Sequence, residues 1–313
     1  MTAPVTTPVG KAIWYLESHY AEELTLEDVA AIAGVSRYHL TRAFCVANGL
    51  PAFATPMKYL RGRRLTEAAR ALVRGAPDIL AVALESGYGS HEAFTRAFRD
   101  QFGLTPEAVR AQGHVNNLNL LEPIKMDETL LTTLDAPRFE DGKALLLAGL
   151  SERYDSNTCS GIPGQWQRFG PYLSEMSGHI PRRASRTAYD VLHNGDGEGN
   201  VEYLSGVEVA DFTALPAEWA RLRLAPQRYA VFTHREHIST IRRTWFTIWN
   251  KWLPEARVKH GCEALDAPDF ERYGEEFDAR TGVGGVEIWL PVKSTSSESC
   301  LPVFRPLVDF QLA

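Results

Sequence analysis

The tetrapeptide Thr41-Arg42-Ala43-Phe44 occurs a second time as Thr95-Arg96-Ala97-Phe98, at the same place in a longer repeated segment. Upstream of each copy lies a short apolar segment that ends in glycine, at residues 29–34 and again at residues 82–87. The second copy has one extra residue between the glycine and the tetrapeptide. A helix, a glycine turn and a second helix form the layout of a helix-turn-helix unit. Residues 26–109 therefore predict two such units joined in one chain.

The charge of the chain is unevenly distributed. The formal net charge is −6 over 313 residues, yet the first 115 residues contain 12 basic and 11 acidic side chains. The remainder contains 21 basic and 28 acidic side chains. A chain of this length predicts two domains. A near-neutral first part and an acidic second part are typical of a protein whose DNA binding is confined to one end.

The cysteines and the apolar segments exclude several other classes of protein. Cys45, Cys159, Cys262 and Cys300 are widely spaced and lack metal-ligand spacing, so we expect no disulfide framework, metal or cofactor. The first four residues lack the basic and apolar regions of a signal peptide. Since no run approaches the roughly 18 apolar residues of a membrane helix, we expect a cytoplasmic protein with no membrane partner.

Residues 37–46 have the pattern of a helix with one polar face. Ser36 is a suitable N-cap, and Leu40 and Phe44 are four residues apart, so both are expected to point into a core. The remaining face is suited to base edges, thymine methyl groups and phosphates. A solvated helix face is the alternative for one such helix alone, and the repeat favours DNA binding. The candidate DNA-binding residues here are Arg37, Tyr38, Thr41 and Arg42.

The second unit predicts a similar helix, with Phe94 and Phe98 facing a core. Glu92 and Arg96 are four residues apart and could pair with each other, which makes this helix the weaker candidate for base reading. Glu92 could also accept a hydrogen bond from a cytosine amino group, or weaken phosphate contacts nearby. The candidate DNA-binding residues in this helix are His91, Glu92, Thr95 and Arg96.

A long basic helix is predicted to begin at Pro56 and to join the two units rigidly. Its core side is expected to contain Met57, Leu60, Ala68 and Leu72. The opposite side is basic and either contacts backbone phosphates or is solvated. Its basic residues are Lys58, Arg61, Arg63, Arg64, Arg70 and Arg74.

These motifs resemble the DNA-binding domain of AraC/XylS-type transcription regulators. The resemblance implies two recognition helices in successive major-groove segments on the same face of the DNA, and RNA polymerase as a further partner. Because one chain then has two reading helices, a monomer could suffice for DNA binding, and a dimer is the alternative. The segments that carry the resemblance are residues 26–34, 37–44, 64–68, 87–98 and 102–106.

Beyond a predicted linker at residues 113–137, which could hold local structure over 126–134, the sequence changes character. We therefore place an all-α domain at residues 1–112 and an α+β domain at 138–313. In the second domain the order strand–helix–strand–strand occurs twice, so two pseudo-symmetric halves could share a sheet. Predicted strands cover residues 144–150, 187–192, 202–209, 228–233, 270–273 and 286–292, and predicted helices cover 162–176 and 239–252, the latter closed by Leu253-Pro254.

Several short segments of this second half resemble the GyrI-like effector-binding domain found in Rob-type and BmrR-type regulators. The resemblance implies a groove between the two pseudo-symmetric halves, lined by aromatic rings around a buried carboxylate. A carboxylate walled by aromatic rings suits a small lipophilic or flat cationic effector. The segments are residues 147–150, 203–209, 229–234, 252–254, 270–273 and 287–291.

The carboxylates that match this resemblance are Glu271 and Glu287. Strand alternation places Glu287 and Trp289 on one side of the last strand and the aliphatic residues on the other. If the aliphatic side is the core, Glu287 and Trp289 face the groove. An ordinary aromatic core beside an exposed glutamate is the alternative. Further candidate wall residues are Tyr154, Trp166 and Tyr203, together with Tyr189.

Three functions remain open from the sequence. The first is a transcription regulator that binds double-stranded DNA at one end and an effector at the other. The second is a hydrolase of electrophilic small molecules, in which Glu271 and Glu287 would act as general base and orienting acid. The third is a DNA-binding protein whose acidic domain is only a partner surface. We favour the regulator and expect no enzyme, since no phosphate loop, metal cluster or Ser/His/Asp arrangement supports catalysis.

Overall fold

The computed structural model describes residues 7–47, 54–76, 78–123, 131–155, 158–175, 187–195, 199–213 and 215–295. Helices precede a large antiparallel sheet, as the sequence predicts, and the chain has two domains. No helix in this part of the chain is long and apolar enough to span a membrane. The N-terminal helices are α1 (Pro8–Ser18), α2 (Leu26–Ala33), α3 (Arg37–Cys45), α4 (Pro56–Val73), α5 (Ile79–Glu85), α6 (His91–Phe102) and α7 (Pro106–Gln112).

Side-chain caps set the starts of the helices in both helix-turn-helix units. Thr25 and Asp28 form a reciprocal capping box at α2, and Ser36 accepts from the backbone N–H of His39 at α3. Ser90 caps α6 in the same way. Gly34 ends α2 with a φ of 75°, a conformation that other residues rarely adopt. The caps confirm the predicted start of α3 after Ser36 and the predicted turn at Gly34.

The predicted inward residues of α3 and α6 form the centres of the two units. Leu40 and Phe44 are fully buried in one cluster, and Phe94 and Phe98 are fully buried in another. Leu118, which lies in the predicted linker, packs against the second cluster. The first part of that linker therefore belongs structurally to the helical domain.

Helix α4 uses part of its basic side for contacts within the domain. Arg63 is 3% exposed, and its Nε donates to Glu17 Oε1 over 2.8 Å. Arg64 Nε donates to the carbonyl of Tyr20 over 2.7 Å. These two arginines connect α4 to α1 and to the residues that follow it. They are therefore not available for the backbone phosphate contacts that were one of the two predictions for the basic side of this helix.

The second domain is built on an antiparallel sheet of nine strands among the described residues. Its order is β1-β6-β9-β8-β3-β4-β2-β5, with β7 paired to β9. The strands are β1 (Arg138–Gly142), β2 (Leu145–Tyr154), β3 (Ala188–His193), β4 (Val201–Glu208), β5 (Ala220–Leu224), β6 (Gln227–His234), β7 (Cys262–Ala264), β8 (Phe270–Tyr273) and β9 (Val286–Ser294). The helices are α8 (Ile162–Glu175), α9 (Ile241–Thr247) and α10 (Leu253–His260), with a π turn at Ile248–Trp252.

The sheet confirms the predicted pseudo-two-fold arrangement. The first half consists of β2, α8, β3 and β4, and the second consists of β6, the helical segment that follows it, β8 and β9. Strands β3 and β8 pair at the centre, so the two halves share one continuous sheet. Each half packs a helical segment on the same face, since Ala148 and Val207 contact α8 residues whereas Phe232 and Ile288 lie with residues of the π turn.

Several elements differ from the predicted ones. The helix expected to close at Leu253-Pro254 continues to His260, because Pro254 lies in the first turn of α10, where a missing N–H costs little. Strands β1, β5 and β7 were not predicted. They are short strands of three to five residues, and β1 and β5 form the two edges of the sheet, where the hydrophobic pattern is weakest. The local structure expected at 126–134 lies partly outside the described residues.

A pair of facing glycines allows β2 and β4 to approach closely. Gly149 is the register partner of Gly206. A Cβ at position 149 would lie 2.0 Å from the Ser205 carbonyl oxygen and 2.6 Å from Gly206 Cα. Both are backbone atoms and cannot move without displacing the strand.

We therefore expect Gly149→Ala to destabilise the sheet by about 3 kcal/mol or more. Urea unfolding followed by tryptophan fluorescence would measure the change. Gly164→Ala is the matched control, because its Cβ would meet only the far end of the Arg168 side chain at 3.5 Å. Equal unfolding midpoints for the two variants would contradict the close approach of the strands.

Candidate functional site

Helix α6 presents its predicted reading residues largely to solvent. Glu92 and Arg96 are exposed, and His91 and Thr95 are half-buried. His91 Nε2 lies 3.2 Å from Glu107 Oε1 on α7. The predicted second reading helix is therefore accessible in this conformation.

Helix α3 has a different environment from the one expected. Arg37 is exposed and pairs with Glu27, whereas Tyr38, Thr41 and Arg42 are only partly exposed. The cause is the C-terminal domain, which packs over this face of the helix. Tyr38 Oη donates to the carbonyl of Ala267 over 3.0 Å. The prediction that Tyr38 and Arg42 point into solvent is therefore wrong for this conformation.

The centre of that contact is an ion pair between Arg42 and Asp269. Arg42 donates from both Nε and Nη2 to the two carboxylate oxygens of Asp269, with Nε–Oδ2 at 3.1 Å. The Asp269 side chain is 1% exposed. Burial raises the pKa of Asp269, and the Arg42 guanidinium partly offsets this rise. The Trp249 ring lies beside the pair, with the Arg42 guanidinium 5.9 Å from its centroid.

A second group of polar side chains lies at the centre of the sheet, on the face that packs against the helices. We call it the acid–aromatic cluster. It begins with Asp190 on β3 and Glu271 on β8, which are register partners at the junction of the two halves. Both side chains are buried, and the backbone N–H of Glu271 donates to Asp190 Oδ1 over 3.0 Å.

Aromatic donors from both halves complete the acid–aromatic cluster. Tyr273 Oη and Trp245 Nε1 each donate to Glu271 over 2.6 Å. Tyr203 Oη donates to Asp190 Oδ2 over 2.8 Å, and Trp166 Nε1 donates to Tyr203 Oη over 2.8 Å. Trp166 comes from α8 and Trp245 from α9, so each half supplies an indole.

Burial and mutual charge govern the protonation of the acid–aromatic cluster. Burial, and then the neighbouring Glu271 charge, raise the pKa of Asp190 well above its ordinary value. Burial also raises the pKa of Tyr203 and Tyr273, so both phenols remain donors. The arrangement thus favours a proton on Asp190.

The structure brings together three of the predicted ligand-binding residues, namely Glu271, Trp166 and Tyr203. Tyr154 is adjacent, with its ring centroid 6.2 Å from that of Tyr203. Its hydroxyl donates to buried Gln165 over 2.9 Å, and burial together with Glu152 raises the pKa of Tyr154 to about 12.

Glu287 and Trp289 lie on the opposite face of the sheet from Glu271. Glu287 is the register partner of Arg272, whereas Glu271 is the register partner of Ile288. Glu287 pairs with Arg138 and Arg272. The expectation that both glutamates share one groove is therefore incorrect, because the aliphatic side of β9 is the side that carries the acid–aromatic cluster.

Trp289 and Tyr189 belong to the packing on that opposite face. Trp289 stacks on Phe270 with centroids 5.4 Å apart. The Tyr189 ring also contacts Phe270, at 5.8 Å.

The residues that the sequence interpretation missed are Asp190, Tyr273 and Trp245. One sequence signal could have found Asp190. Tyr189-Asp190 and Phe270-Glu271 are the same aromatic–acid dipeptide, placed at equivalent positions of the two halves. No group of three or more His, Cys, Asp or Glu in the described part of the chain is arranged to hold a metal ion.

Comparisons with known proteins identify the family of each domain. Residues 29–112 match the family model of a helix-turn-helix domain, and residues 135–293 match that of the GyrI-like small molecule binding domain. The right origin-binding protein of Escherichia coli K12 is 35% identical over 279 residues, which cover 86% of this chain and 91% of that protein. Transcriptional regulator Rob of Salmonella typhimurium is 28% identical over 279 residues, which likewise cover 86% of this chain and 91% of that protein. The HTH-type transcriptional activator AarP of Providencia stuartii is 29% identical over 116 residues, 37% of this chain and 83% of that protein.

The fold and these matches define a transcription regulator that joins a DNA-binding domain to a small-molecule-binding domain. The chain belongs to the family of Rob and the right origin-binding protein, with an AraC-type helix-turn-helix domain followed by a GyrI-like domain. Both resemblances inferred from the sequence motifs are confirmed.

The acid–aromatic cluster leads to a prediction for Asp190→Asn. The pKa of Asp190 in the folded chain exceeds its ordinary value of 3.8. Above about pH 4 the carboxyl ionises more readily in the unfolded chain, so the free energy of unfolding of the wild type falls as the pH rises towards the folded pKa. Asparagine does not titrate. The free energy of unfolding of Asp190→Asn, relative to that of wild type, should therefore increase from pH 4 upward, by at most about 1.4 kcal/mol per pH unit.

Urea unfolding of both chains at several pH values between 4 and 8 would measure this difference. Asp211→Asn is a control, because Asp211 is exposed and the Thr213 hydroxyl and backbone N–H lower its pKa. A stability difference for Asp190→Asn that stays constant across this pH range would contradict a raised pKa.

Proposed function

We propose that this regulator reads DNA with the polar faces of α3 and α6 and that a lipophilic cation binds at Glu271, between α8 and α9. We further propose that it binds its effector without catalysis, acts in the cytoplasm, where its DNA target lies, and has RNA polymerase as a partner. Two reading helices within one chain make a monomer sufficient for DNA binding.

The observation that carries the effector proposal is the composition of the acid–aromatic cluster. Glu271 accepts its hydrogen bonds from an indole and a phenol, which are neutral groups. Because both donors are neutral, a cation that enters would supply a positive charge that neither donor provides. Aromatic rings surround the same position, since Tyr273 lies 5.2 Å from Trp166 and 4.9 Å from Phe277 between centroids. Such rings attract cations through their faces and accept apolar substituents.

The hydrolase alternative needs Glu271 and Glu287 at one site. Because these two side chains lie on opposite faces of the sheet, they cannot act on one bond as base and orienting acid. We therefore propose a sensor.

We expect Glu271→Gln to lower the affinity for tetraphenylphosphonium, used as a probe cation, at least tenfold. The variant replaces the carboxyl group with a neutral amide and retains the shape and the hydrogen-bonding oxygen. Isothermal titration calorimetry would measure the affinity. Glu287→Gln carries the same change on the opposite face and should bind the probe as wild type does. Unchanged binding by Glu271→Gln would remove this carboxylate from the effector site.

For DNA reading, we expect Arg96→Ala to weaken binding to a selected duplex by about 1–3 kcal/mol and to relax sequence preference. The duplex would be selected from a random library with the wild-type chain, and affinities would be measured by fluorescence anisotropy. Arg99→Ala is the control, because Arg99 is also exposed on α6 but lies one turn further from its N-terminus. It should weaken selected and random duplexes equally. A uniform loss for Arg96→Ala would identify Arg96 as a phosphate contact only.

A further inference from the structure

The C-terminal domain covers the face of α3 that carries its candidate reading residues. Tyr38 and Arg42 are four residues apart on that face, and both contact the segment just before β8. The Arg42 guanidinium donates to both oxygens of Asp269. The same N–H groups are therefore not available to donate to a guanine edge or a phosphate. In this conformation only α6 is free to read DNA.

The contact is extensive and built from buried groups. His39 Nε2 lies 2.6 Å from the carbonyl oxygen of Trp249, so it must be the protonated ring nitrogen and donate. Burial lowers the pKa of His39 to about 4, which keeps the ring neutral at physiological pH. Asn250 Oδ1 accepts from the backbone N–H of Val9 at the start of α1 over 3.3 Å. The π turn thus holds both α1 and α3.

A further tie lies at the C-terminal end of α3. Arg242 on α9 donates from Nη2 to the carbonyl of Ala47 over 2.8 Å and from Nε to that of Val46 over 3.3 Å. A cation at the C-terminal end of a helix is favourably placed. Helix α9 and the π turn that follows it therefore bind α3 at two points.

The two segments that contact α3 also contain Glu271 and the indole that donates to it. Trp245, whose indole donates to Glu271, lies one helical turn before Trp249. Asp269 lies two residues before Glu271 in the chain. A cation bound at Glu271 would compete with the Trp245 indole for the carboxyl oxygen and would loosen the connection between α9 and β8.

We propose that the C-terminal domain masks the first reading helix, and that effector binding at Glu271 releases it for DNA. The effector part rests on the proposed function above, whereas the masking rests on the contacts of α3 alone. In the masked state the second unit binds one major-groove segment, and release of α3 adds a second segment about one helical turn away.

The test of masking is DNA binding by the full chain carrying Asp269→Asn, with the duplex selected by wild type. We expect binding at least fivefold tighter than wild type, together with a DNase I footprint longer by about 10 base pairs. Asp266→Asn is the matched control, since Asp266 is an exposed acid three residues away and its change alters the net charge equally. It should change the affinity less than twofold and leave the footprint length unaltered.

A second variant separates release from simple electrostatics. Arg242→Ala removes a positive charge, which by itself weakens DNA binding, but it also removes the clamp on α3. Masking therefore predicts tighter binding, opposite to the electrostatic effect. Circular dichroism would verify that each variant is folded. If both variants bind DNA no more tightly than wild type, or if Asp266→Asn reproduces the effect of Asp269→Asn, masking is overturned.

The effector part is tested by repeating the DNA titration with saturating tetraphenylphosphonium. We expect tighter DNA binding by wild type and no response from Glu271→Gln. Calorimetric binding of the probe without a change in DNA affinity would overturn the coupling. Absence of probe binding would overturn the proposed effector class, and the result for Asp269→Asn decides the masking separately.

Discussion

The antiparallel pairing of β3 with β8 is the constraint on which the second domain depends, since it sets Asp190 opposite Glu271 where the two halves meet. Two adjacent buried carboxyls repel each other and lose hydration. The fold offsets this with phenol, indole and backbone donors and with a raised pKa at Asp190. A pair of apolar residues at this position would serve stability better. The proposed effector would give the acid–aromatic cluster a role that packing alone does not.

Much of the helical domain could be predicted because its signals are local. Thr25 and Ser36 act within their own helix turn, and the spacing of Leu40 and Phe44 identifies a buried side without knowledge of the rest of the chain. Gly34 marks the turn for the same reason. Such features depend on neighbours within four residues, so the sequence contains nearly everything that determines them.

The proposed effector site was harder to predict because both faces of the sheet carry buried apolar residues. Alternation in β9 correctly separated Glu287 and Trp289 from the aliphatic residues, but it could not tell which face also carries Glu271. Trp289 packs on Phe270 instead of lining a groove. The deciding information is the register of β8 against β9, a contact between segments distant in the sequence. Asp190 depends on a still longer-range pairing.

The position of α3 could not be predicted, because an amphipathic pattern identifies a polar face but not its occupant. Tyr38 and Arg42 have the same spacing whether they meet water, a DNA groove or Asp269. The buried Arg42–Asp269 pair contributes little net stability, since desolvation of both charges offsets most of their attraction. DNA offers Arg42 acceptors of similar strength. Exchange of one acceptor for another therefore costs little, whereas loss of Asp269 alone would leave the Arg42 guanidinium buried without its partner. Because α6 is exposed in the same conformation, the proposed masking would leave the second unit able to bind DNA first, while α3 is still covered.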